Sequence, residues 1–369
     1  MSLEFSADDR ALQDVLRRFL NKACPTSRVH AVLDGSAGEA RALTSALSEG
    51  GWMAAALPEE YGGQGLGYSA LCTIAEELGR TLAPTSFGST VFLAAEAILH
   101  GGSDAQKQRL LPGLGAGTLG GALALCERDG PIVERATQCT VRDGKLSGTK
   151  TPVVDGGEAD VAVVSARSEA GVRLYVVDLA QTGVTRTALT SMDPTRPLAA
   201  IRFEDAEAEL LGDGCDWDFV ERLLDRAAVL FAFEQVGGAD AALAMARDYA
   251  LSRYAFGRPI GSFQAIKHKL ADVYIANSLA RANAEEAAWA LTIGSPDLPL
   301  AAATARVAAS EAYERAAREN MQTHGGVSAT WIHDCHLHYR RARHLNTCIG
   351  ALPQWRNRVA ERLITQSAA

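Results

Sequence analysis

The chain has 369 residues, of which 47% are hydrophobic and 22% charged, and its formal net charge is -8. A chain of this length can bury a sizeable core in one large domain or in a few smaller ones. The acidic balance gives no electrostatic footprint for nucleic acid. No segment approaches the roughly 20 uninterrupted apolar residues of a bilayer-spanning helix, and the polar start differs from a signal peptide. These features predict a cytoplasmic protein without membrane insertion.

The apolar pattern changes twice along the chain. From residue 6 to about 114 apolar residues recur at helical spacing, whereas residues from about 120 to 212 form short alternating or β-branched runs typical of strands. Asp143 and Gly144 lie between two such runs and form a favoured hairpin-turn pair. Helical spacing then returns after Gly214. The pattern predicts a mainly α, α+β fold with a helical domain at 1–118, a β domain at 119–213 and a helical domain at 214–369.

Several short motifs occur in the two helical blocks. They are LPEEYGG at 57–63, AEELGR at 75–80, a Gln106-Lys107 pair leading to Leu111-Pro112, RYAFGRPI at 253–260, FQAIKH at 263–268 and QTHGG at 322–326. One such motif would be a weak signal. Together, in this order and at this spacing, they resemble the acyl-CoA dehydrogenase family over nearly the whole chain.

The resemblance implies a fold and a reaction. The fold has an N-terminal helical domain, a middle β-barrel-like domain and a C-terminal four-helix bundle. In the reaction, the α,β-dehydrogenation of an acyl-CoA thioester, a glutamate removes the α-proton and the β-hydrogen leaves as hydride to FAD. Electrons then pass to an acceptor of the electron-transfer flavoprotein type. The base must be positioned in a dry pocket because a thioester α-proton is weakly acidic, and FAD must be fixed against the β-carbon.

The resemblance also implies that FAD lies at a subunit interface, where the last helical domain of one subunit holds the adenine end and pyrophosphate of its neighbour's FAD. The matching positions are Arg253, Phe256, Gln264, Gln322, Gly325 and Gly326. Arg253 suits the pyrophosphate because a guanidinium is a planar, permanently charged fork. The glycines let backbone approach the nucleotide closely. A second interpretation remains open, in which the glycines only cap helices.

The other half of the flavin site departs from the family pattern. Where the family has a loop rich in glycine and serine that lines the flavin ring and the substrate, this chain has CERDGP at 126–131. The family usually places a tryptophan and, two residues later, a serine or threonine against the flavin ring. Pro152 and Val154 occupy those positions. A stacking surface and a hydroxyl donor are therefore both missing.

The usual catalytic base is also missing. In most of the family a glutamate precedes a glycine, 27 residues after the glutamine of the Gln-x-x-Gly-Gly motif. Counting from Gln322 reaches Ile349, which Gly350 follows. An isoleucine cannot accept a proton.

A minority of the family carries the base on the helix before the Arg-x-x-Phe-Gly motif, and Ala227 occupies that position. A shift of one or two residues would bring Asp225 or Arg226 there instead. Glu234 lies seven residues after Ala227, on nearly the same helix face, and is a weak candidate for the base. The alternative is that Glu234 is paired with an arginine or belongs to a buried polar network, because buried carboxylates are normally paired.

A group of histidines and a cysteine lies near the C-terminus. Its members are His333, Cys335, His336, His338 and His344, interrupted by arginines at 340, 341 and 343. The spacing matches no standard zinc site and the arginines disfavour a cation, so the sequence predicts no metal. The chain's seven cysteines contain no CxxC pair, which favours free thiols.

Three functions remain open. The first is a subunit without its own base that completes the flavin site of a catalytic acyl-CoA dehydrogenase paralogue, as in the heteromeric α2β2 enzymes of bacterial steroid side-chain breakdown that this chain resembles. The second is a self-sufficient homo-oligomeric enzyme with Glu234 or Glu127 as an unusual base. The third is a flavin-free binding or structural module, since fold does not fix function.

Overall fold

The protein is described by a computed structural model that covers residues 6–128 and 130–368. The N-terminal part of the chain is helical. Its helices are α1 (Ala7–Ala23), α2 (Thr26–Leu33), α3 (Ala37–Glu49), α4 (Gly67–Arg80), α5 (Glu96–Gly101) and α6 (Asp104–Gly115). Ser6 and Ser103 begin α1 and α6 with capping boxes, in which the serine hydroxyl accepts a backbone N–H from the third helical residue. A buried π-helix, Gly88–Ala95, precedes α5.

The middle of the chain forms a mixed sheet. Its strands are β1 (Gly121–Ala124), β2 (Thr140–Arg142), β3 (Lys145–Val154), β4 (Val161–Ser168), β5 (Gly171–Asp178), β6 (Val184–Leu189), β7 (Leu198–Glu207) and β8 (Glu209–Leu210). The order is β6-β7-β3-β2-β4-β5-β8, and β1 pairs in parallel with β4. Leu146, Val164, Val177, Ile201 and Phe203 contribute to the buried core of this sheet.

The sheet confirms one local prediction and corrects another. The β2–β3 hairpin turns at Asp143 and Gly144, whose φ values of 49° and 74° are those of the turn that an Asp-Gly pair favours. The predicted β-barrel-like closure is wrong, because the sheet is open. Within the described residues, β6 and β8 are the two ends of the strand order and do not pair with each other. Most of β6 is exposed and β8 has only two residues, so neither edge offers a long apolar strand for closure.

The C-terminal part of the chain is helical again. Its elements are α7 (Trp217–Ser252), β9 (Tyr254–Ala255), β10 (Arg258–Pro259), α8 (Gln264–Ile293), α9 (Leu298–His324), α10 (Cys335–Leu345) and α11 (Leu352–Ala368). Helix α7 is long and apolar enough to cross a bilayer, yet 72% of its most apolar window is buried inside the protein. Burial of this kind is what a core helix shows.

By its residue contacts the chain divides into two compact units. The helical unit comprises the residues up to Asp34, Tyr68–Ala83 and the chain from Ala228 onward, and the sheet unit comprises Gly35–Gly67 and Pro84–Ala227. Both units are discontinuous in sequence. The division into three consecutive domains at 1–118, 119–213 and 214–369 follows the order of elements and stays a prediction.

The family-like motif at 75–80 has a structural role in the helical unit. Gly79 on α4 lies so close to α7 that a Cβ atom there would be 1.8 Å from the Glu234 carbonyl oxygen. Gly237 on α7 makes the reciprocal approach to the Glu76 carbonyl. Around this crossing, Glu77 accepts hydrogen bonds from Arg17 and Arg80. The motif at 75–80 therefore fixes helix packing.

Candidate functional site

The segment that follows α7 forms an exposed hairpin. Arg253 comes directly after the end of α7, and Phe256 and Gly257 form the turn between β9 and β10 with φ values of 53° and 79°. The side chain of Phe256 is 95% exposed. Gly257 belongs to this turn and is not the C-cap of α7, so the helix-cap interpretation does not apply to the Arg-x-x-Phe-Gly motif.

Arg253 has its backbone fixed and its side chain free. Its N–H donates to the Tyr249 carbonyl at 2.8 Å, and its carbonyl accepts from Ile260 N–H at 2.8 Å. The Arg253 side chain is exposed, and across residues 6–128 and 130–368 its guanidinium has no carboxylate partner. Gln264, the first residue of α8, is exposed as well. These side chains contribute little to this chain's own fold.

The end of α9 carries the second part of the motif. Gly325 is the C-cap of α9, with a φ of 68°, so the capping interpretation holds for this glycine. Gln322, Gly325 and Gly326 are nevertheless accessible, and a Cβ atom at either glycine would meet no atom within 4 Å. The space above them is therefore open to a ligand or another chain.

A stacked ring pair joins the two parts. The His324 ring stacks on Tyr249 with 4.0 Å between ring centroids, and Tyr249 is the residue whose carbonyl holds Arg253. The structure thus brings the segments of Arg253 and Gln322 to one region of the helical unit. Sequence reasoning missed Tyr249, although its position four residues before Arg253, one turn back on α7, could have indicated it.

The residue that family spacing predicts at the usual base position is apolar and buried. Ile349 is 2% exposed, and its carbonyl accepts a hydrogen bond from Trp355 Nε1 at 3.2 Å. Ala227, at the alternative position, is fully buried in α7, and Asp225 is buried as well. No carboxylate occupies either matched position.

Glu234 is part of a buried ion pair. Its side chain and that of Arg341 are each 1% exposed, and Arg341 Nη1 lies 3.5 Å from Glu234 Oε1. Arg341 also donates to the carbonyls of Leu82 and Ala83, at 3.1 and 3.4 Å. Leu82 has a φ of 54°, a left-handed conformation that a branched residue adopts only when its surroundings hold it. The arginine pairing considered for Glu234 is thus observed.

Glu127 is a carboxylate whose oxygens are engaged by donors. It accepts from Lys150 Nζ at 2.6 Å, Gln138 N–H at 2.7 Å and Cys139 N–H at 3.0 Å. Lys150, fully buried, also donates to Ser165 Oγ at 2.9 Å. Burial acts to raise the pKa of Glu127, but the Lys150 charge and these N–H donors outweigh burial and lower the pKa overall. A carboxylate with a lowered pKa is a poor proton acceptor.

The residues that the family resemblance aligns with the flavin-ring contacts lie at the end of β3 and in the 126–131 loop. Pro152 is exposed and Val154 is half-buried at the end of β3. The 126–131 loop includes Asp129, which lies outside the described residues. Thr151 N–H donates to the Cys126 carbonyl at 2.8 Å, which ties β3 to this loop. Neither Pro152 nor Val154 can supply the aromatic ring or the hydroxyl that a flavin ring would contact.

These observations test how well the chain fits FAD. The exposed Arg253 guanidinium, the exposed aromatic tip at Phe256 and the open glycines at 325 and 326 fit the phosphates and adenosine of a dinucleotide. The sheet unit does not offer the ring contacts at Pro152 and Val154. The residues therefore fit one half of an FAD site.

Comparison with known proteins identifies the class. The family models described as acyl-CoA dehydrogenase, N-terminal domain, and acyl-CoA dehydrogenase, C-terminal domain, match residues 6–118 and 214–364. This chain belongs to the acyl-CoA dehydrogenase family.

Individual relatives agree with the family assignment. The acyl-CoA dehydrogenase IpdE2 of Mycobacterium tuberculosis is 35% identical over 332 residues, which cover 90% of this chain and 89% of the relative. A chain of a variant of the Tcur3481-Tcur3483 steroid ACAD superposes with a TM-score of 0.90 and 30% identity, with 99% of this chain and 100% of that chain covered. A chain of the ChsE4-ChsE5 complex from Mycobacterium tuberculosis has a TM-score of 0.89 and 26% identity, with 98% of this chain and 99% of that chain covered.

Proposed function

We propose that this chain is a subunit of an FAD-dependent acyl-CoA dehydrogenase that lacks its own catalytic base and completes the flavin site of a catalytic paralogue. The observation that carries the proposal is Ile349, an apolar and 2% exposed side chain at the position of the base. Removal of a thioester α-proton needs a positioned side chain that can accept a proton, and an isoleucine cannot do so.

The remaining carboxylates do not restore the reaction. Glu127 is hydrogen-bonded by Lys150 and two backbone N–H groups, and Glu234 faces the buried Arg341. A general base must reach its proton at hydrogen-bond distance with a free lone pair. These contacts argue against the alternative of a self-sufficient enzyme with an unusual base.

The exposed residues of the helical unit supply the binding half of the proposal. Arg253 would meet the pyrophosphate of the FAD, and Gln322 with Gly325 and Gly326 would meet its nucleotide end. When bound, FAD supplies the hydride acceptor for the β-carbon. The almost fully exposed Phe256 ring, in the same exposed hairpin as Arg253, would add an aromatic contact to the nucleotide.

The complex would consist of this chain and a paralogue that carries the intact base and flavin-ring contacts. It would act on an acyl-CoA in the cytoplasm and pass electrons to an acceptor of the electron-transfer flavoprotein type. The ChsE4-ChsE5 complex and the two-component name Tcur3481-Tcur3483 support a heteromeric arrangement among similar proteins.

The test compares the chain purified alone with the chain co-expressed with a catalytic acyl-CoA dehydrogenase paralogue. We expect no stoichiometric flavin absorption and no acyl-CoA turnover from the isolated chain, and both from the complex. Flavin and turnover in the isolated chain would overturn the proposal.

A second experiment separates the binding role from the fold. In the complex, Arg253→Ala should reduce flavin content, because it removes the cation at the pyrophosphate. Arg247→Ala is the matched control, since Arg247 is exposed near the end of α7 and paired only with its neighbour Asp248 among the residues described. Equal flavin content in both variants would rule out the proposed contact between Arg253 and the pyrophosphate.

A further inference from the structure

In the structure, only part of the His/Cys group of residues 333–344 is clustered, and a histidine from outside this group lies in the same cluster. His324, at the end of α9, lies beside His333 and Cys335, and the possible ligand atoms of these three residues all lie within 4.8 Å of one another. His336 is instead stacked on Trp331, and His338 contacts the Tyr313 hydroxyl. The prediction of no metal concerned the spacing of residues 333–344 and the arginines among them, so it did not include His324.

We propose that His324, His333 and Cys335 form a binding site for a soft or borderline d10 cation, with Zn²⁺ as the first candidate. Imidazole and thiolate are the ligands that such a cation prefers. Met245 adds a second sulfur to this group, because its Sδ lies 3.7 Å from Cys335 Sγ. The site does not depend on the proposed flavin function.

The surroundings orient His324 for ligation. Its Nδ1 donates to the Asn320 carbonyl at 2.9 Å, which leaves the lone pair on Nε2 for a cation. Burial lowers the pKa of His324 and favours the neutral, ligating imidazole. The Tyr249 ring against its face fixes the orientation of the imidazole.

His333 and Cys335 can reach a cation at little cost in other contacts. Cys335 is fully buried, and its N–H donates to His333 Nδ1 over a long 3.3 Å, a weak bond that ligation by Nδ1 would replace. Burial raises the pKa of the Cys335 thiol to about 12, so an incoming cation must displace the thiol proton.

A buried oxygen beside these ligands has no donor. Asn320 is fully buried, and its Nδ2 lies 3.3 Å from Met245 Sδ. Its Oδ1 has no hydrogen-bond partner among the described residues. A buried amide oxygen without a partner is rare in native proteins, and it belongs to a side chain that contacts Met245 of this group.

The arginines that seemed to exclude a cation are directed to other partners. The Arg340 guanidinium lies 5.1 Å from the Trp331 ring centroid. Arg341 points to the carbonyls of Leu82 and Ala83, and Arg343 pairs with Glu314 at 3.0 Å. Bound here, a cation would tie the end of α9 to the start of α10.

The experiment titrates the full-length chain, purified by itself, with Co²⁺ and then with Zn²⁺. We expect one Co²⁺ per chain with a thiolate-to-metal charge-transfer band that Zn²⁺ removes by competition. Cys335→Ser should abolish the band and weaken Zn²⁺ binding by more than about 100-fold, because loss of an outer-shell partner alone costs about 10–100-fold.

Two further variants keep the test decisive. Cys348→Ser, at a half-buried cysteine outside the site, should keep the band and the affinity. His333→Gln, at a half-buried position, gives a second ligand deletion if Cys335→Ser fails to fold. Absence of the band in the unmodified chain, or equal Zn²⁺ affinity in the unmodified chain and either ligand variant, would overturn the proposal.

Discussion

At the scale of single residues, the carboxylates that could have served as bases are distinguished by their partners. Lys150 is fully buried in the sheet unit, the Glu127 side chain beside it is 8% exposed, and the pair shares its hydrogen bonds with Ser165 and two backbone N–H groups. A buried ion pair of this kind is costly to break because the remaining charge is left without compensation. Glu127 therefore stabilises the fold by compensating the Lys150 charge.

We predict that Glu127→Gln lowers the free energy of unfolding by about 3 kcal/mol, since it leaves the Lys150 ammonium buried and unpaired. Because the folded state lowers the pKa of Glu127, this stabilisation is present above the carboxyl's unfolded pKa, about 4.3, and is lost as the pH falls through the lower folded value. Urea denaturation followed by circular dichroism measures the difference.

A matched surface pair in the same sheet provides the control. Lys145 and Glu207 also form an ion pair, but both side chains are exposed. Glu207→Gln should cost less than about 1 kcal/mol, the usual value for a surface pair. Similar losses in the two variants would contradict the structural role assigned to Glu127.

His338 gives a second pH dependence. Burial, assisted by the nearby Arg341 charge, lowers the pKa of His338 to about 4, whereas the unfolded chain titrates near about 6.5. The unfolded state therefore binds more protons between these values, so stability is complete above the unfolded pKa and declines as the pH falls towards the folded value. We predict a loss of about 2 kcal/mol from this group between about pH 7.5 and 5.

The measurement compares denaturation at these two pH values in the unmodified chain and in His338→Gln. Between these two pH values, the variant should lose about 2 kcal/mol less stability than the unmodified chain. This figure follows from the difference between the folded and unfolded pKa of His338, at about 1.4 kcal/mol per pKa unit. His268→Gln, at an exposed position on α8, is the control and should retain the full pH dependence. An unchanged pH dependence in His338→Gln would show that this histidine does not titrate as described.

At the scale of elements, the family-like motifs fall into two groups. Those in the first half are structural: Gly79 allows the α4–α7 crossing, and Gln106 caps α6 while its side-chain oxygen accepts the Gly212 N–H. Those in the second half, around Arg253 and Gln322, are accessible and do little for the fold. Side chains that the fold does not need are the ones available for a ligand or a partner.

Alanine should have opposite effects at a glycine in the α4–α7 crossing and at a glycine with open space around it. Gly79→Ala should destabilise the chain by at least about 2 kcal/mol, because its Cβ would fall 1.8 Å from the Glu234 carbonyl and force the helices apart. Gly38→Ala, in α3 where a Cβ meets nothing within 4 Å, should stabilise by about 0.5–1 kcal/mol. Thermal denaturation distinguishes the two, and equal shifts would refute the close approach.

At the scale of the whole molecule, sequence predicted what local rules determine. Helical and alternating periodicity gave the order of the three blocks, and the Asp143-Gly144 pair gave its hairpin, because each depends on neighbouring residues. The open edges of the sheet depend on pairings such as that of β1 with β4, about 40 residues apart in the chain. The approach of His324 to Cys335 depends on how α9 meets α10. Such contacts are fixed by packing, which no local pattern records.

The last prediction concerns assembly, and it rests on the proposed function. Two exposed apolar side chains of α8, Ile275 and Leu279, are four residues apart and so lie on one helix face. We expect a partner subunit to cover this face, since contiguous exposed apolar surface usually marks an interface. Leu279→Glu should shift the co-expressed complex to smaller species in analytical ultracentrifugation and lower its flavin content. Met192→Glu, an equally exposed apolar position in the sheet unit, should leave both unchanged, and an intact complex with Leu279→Glu would place the interface elsewhere.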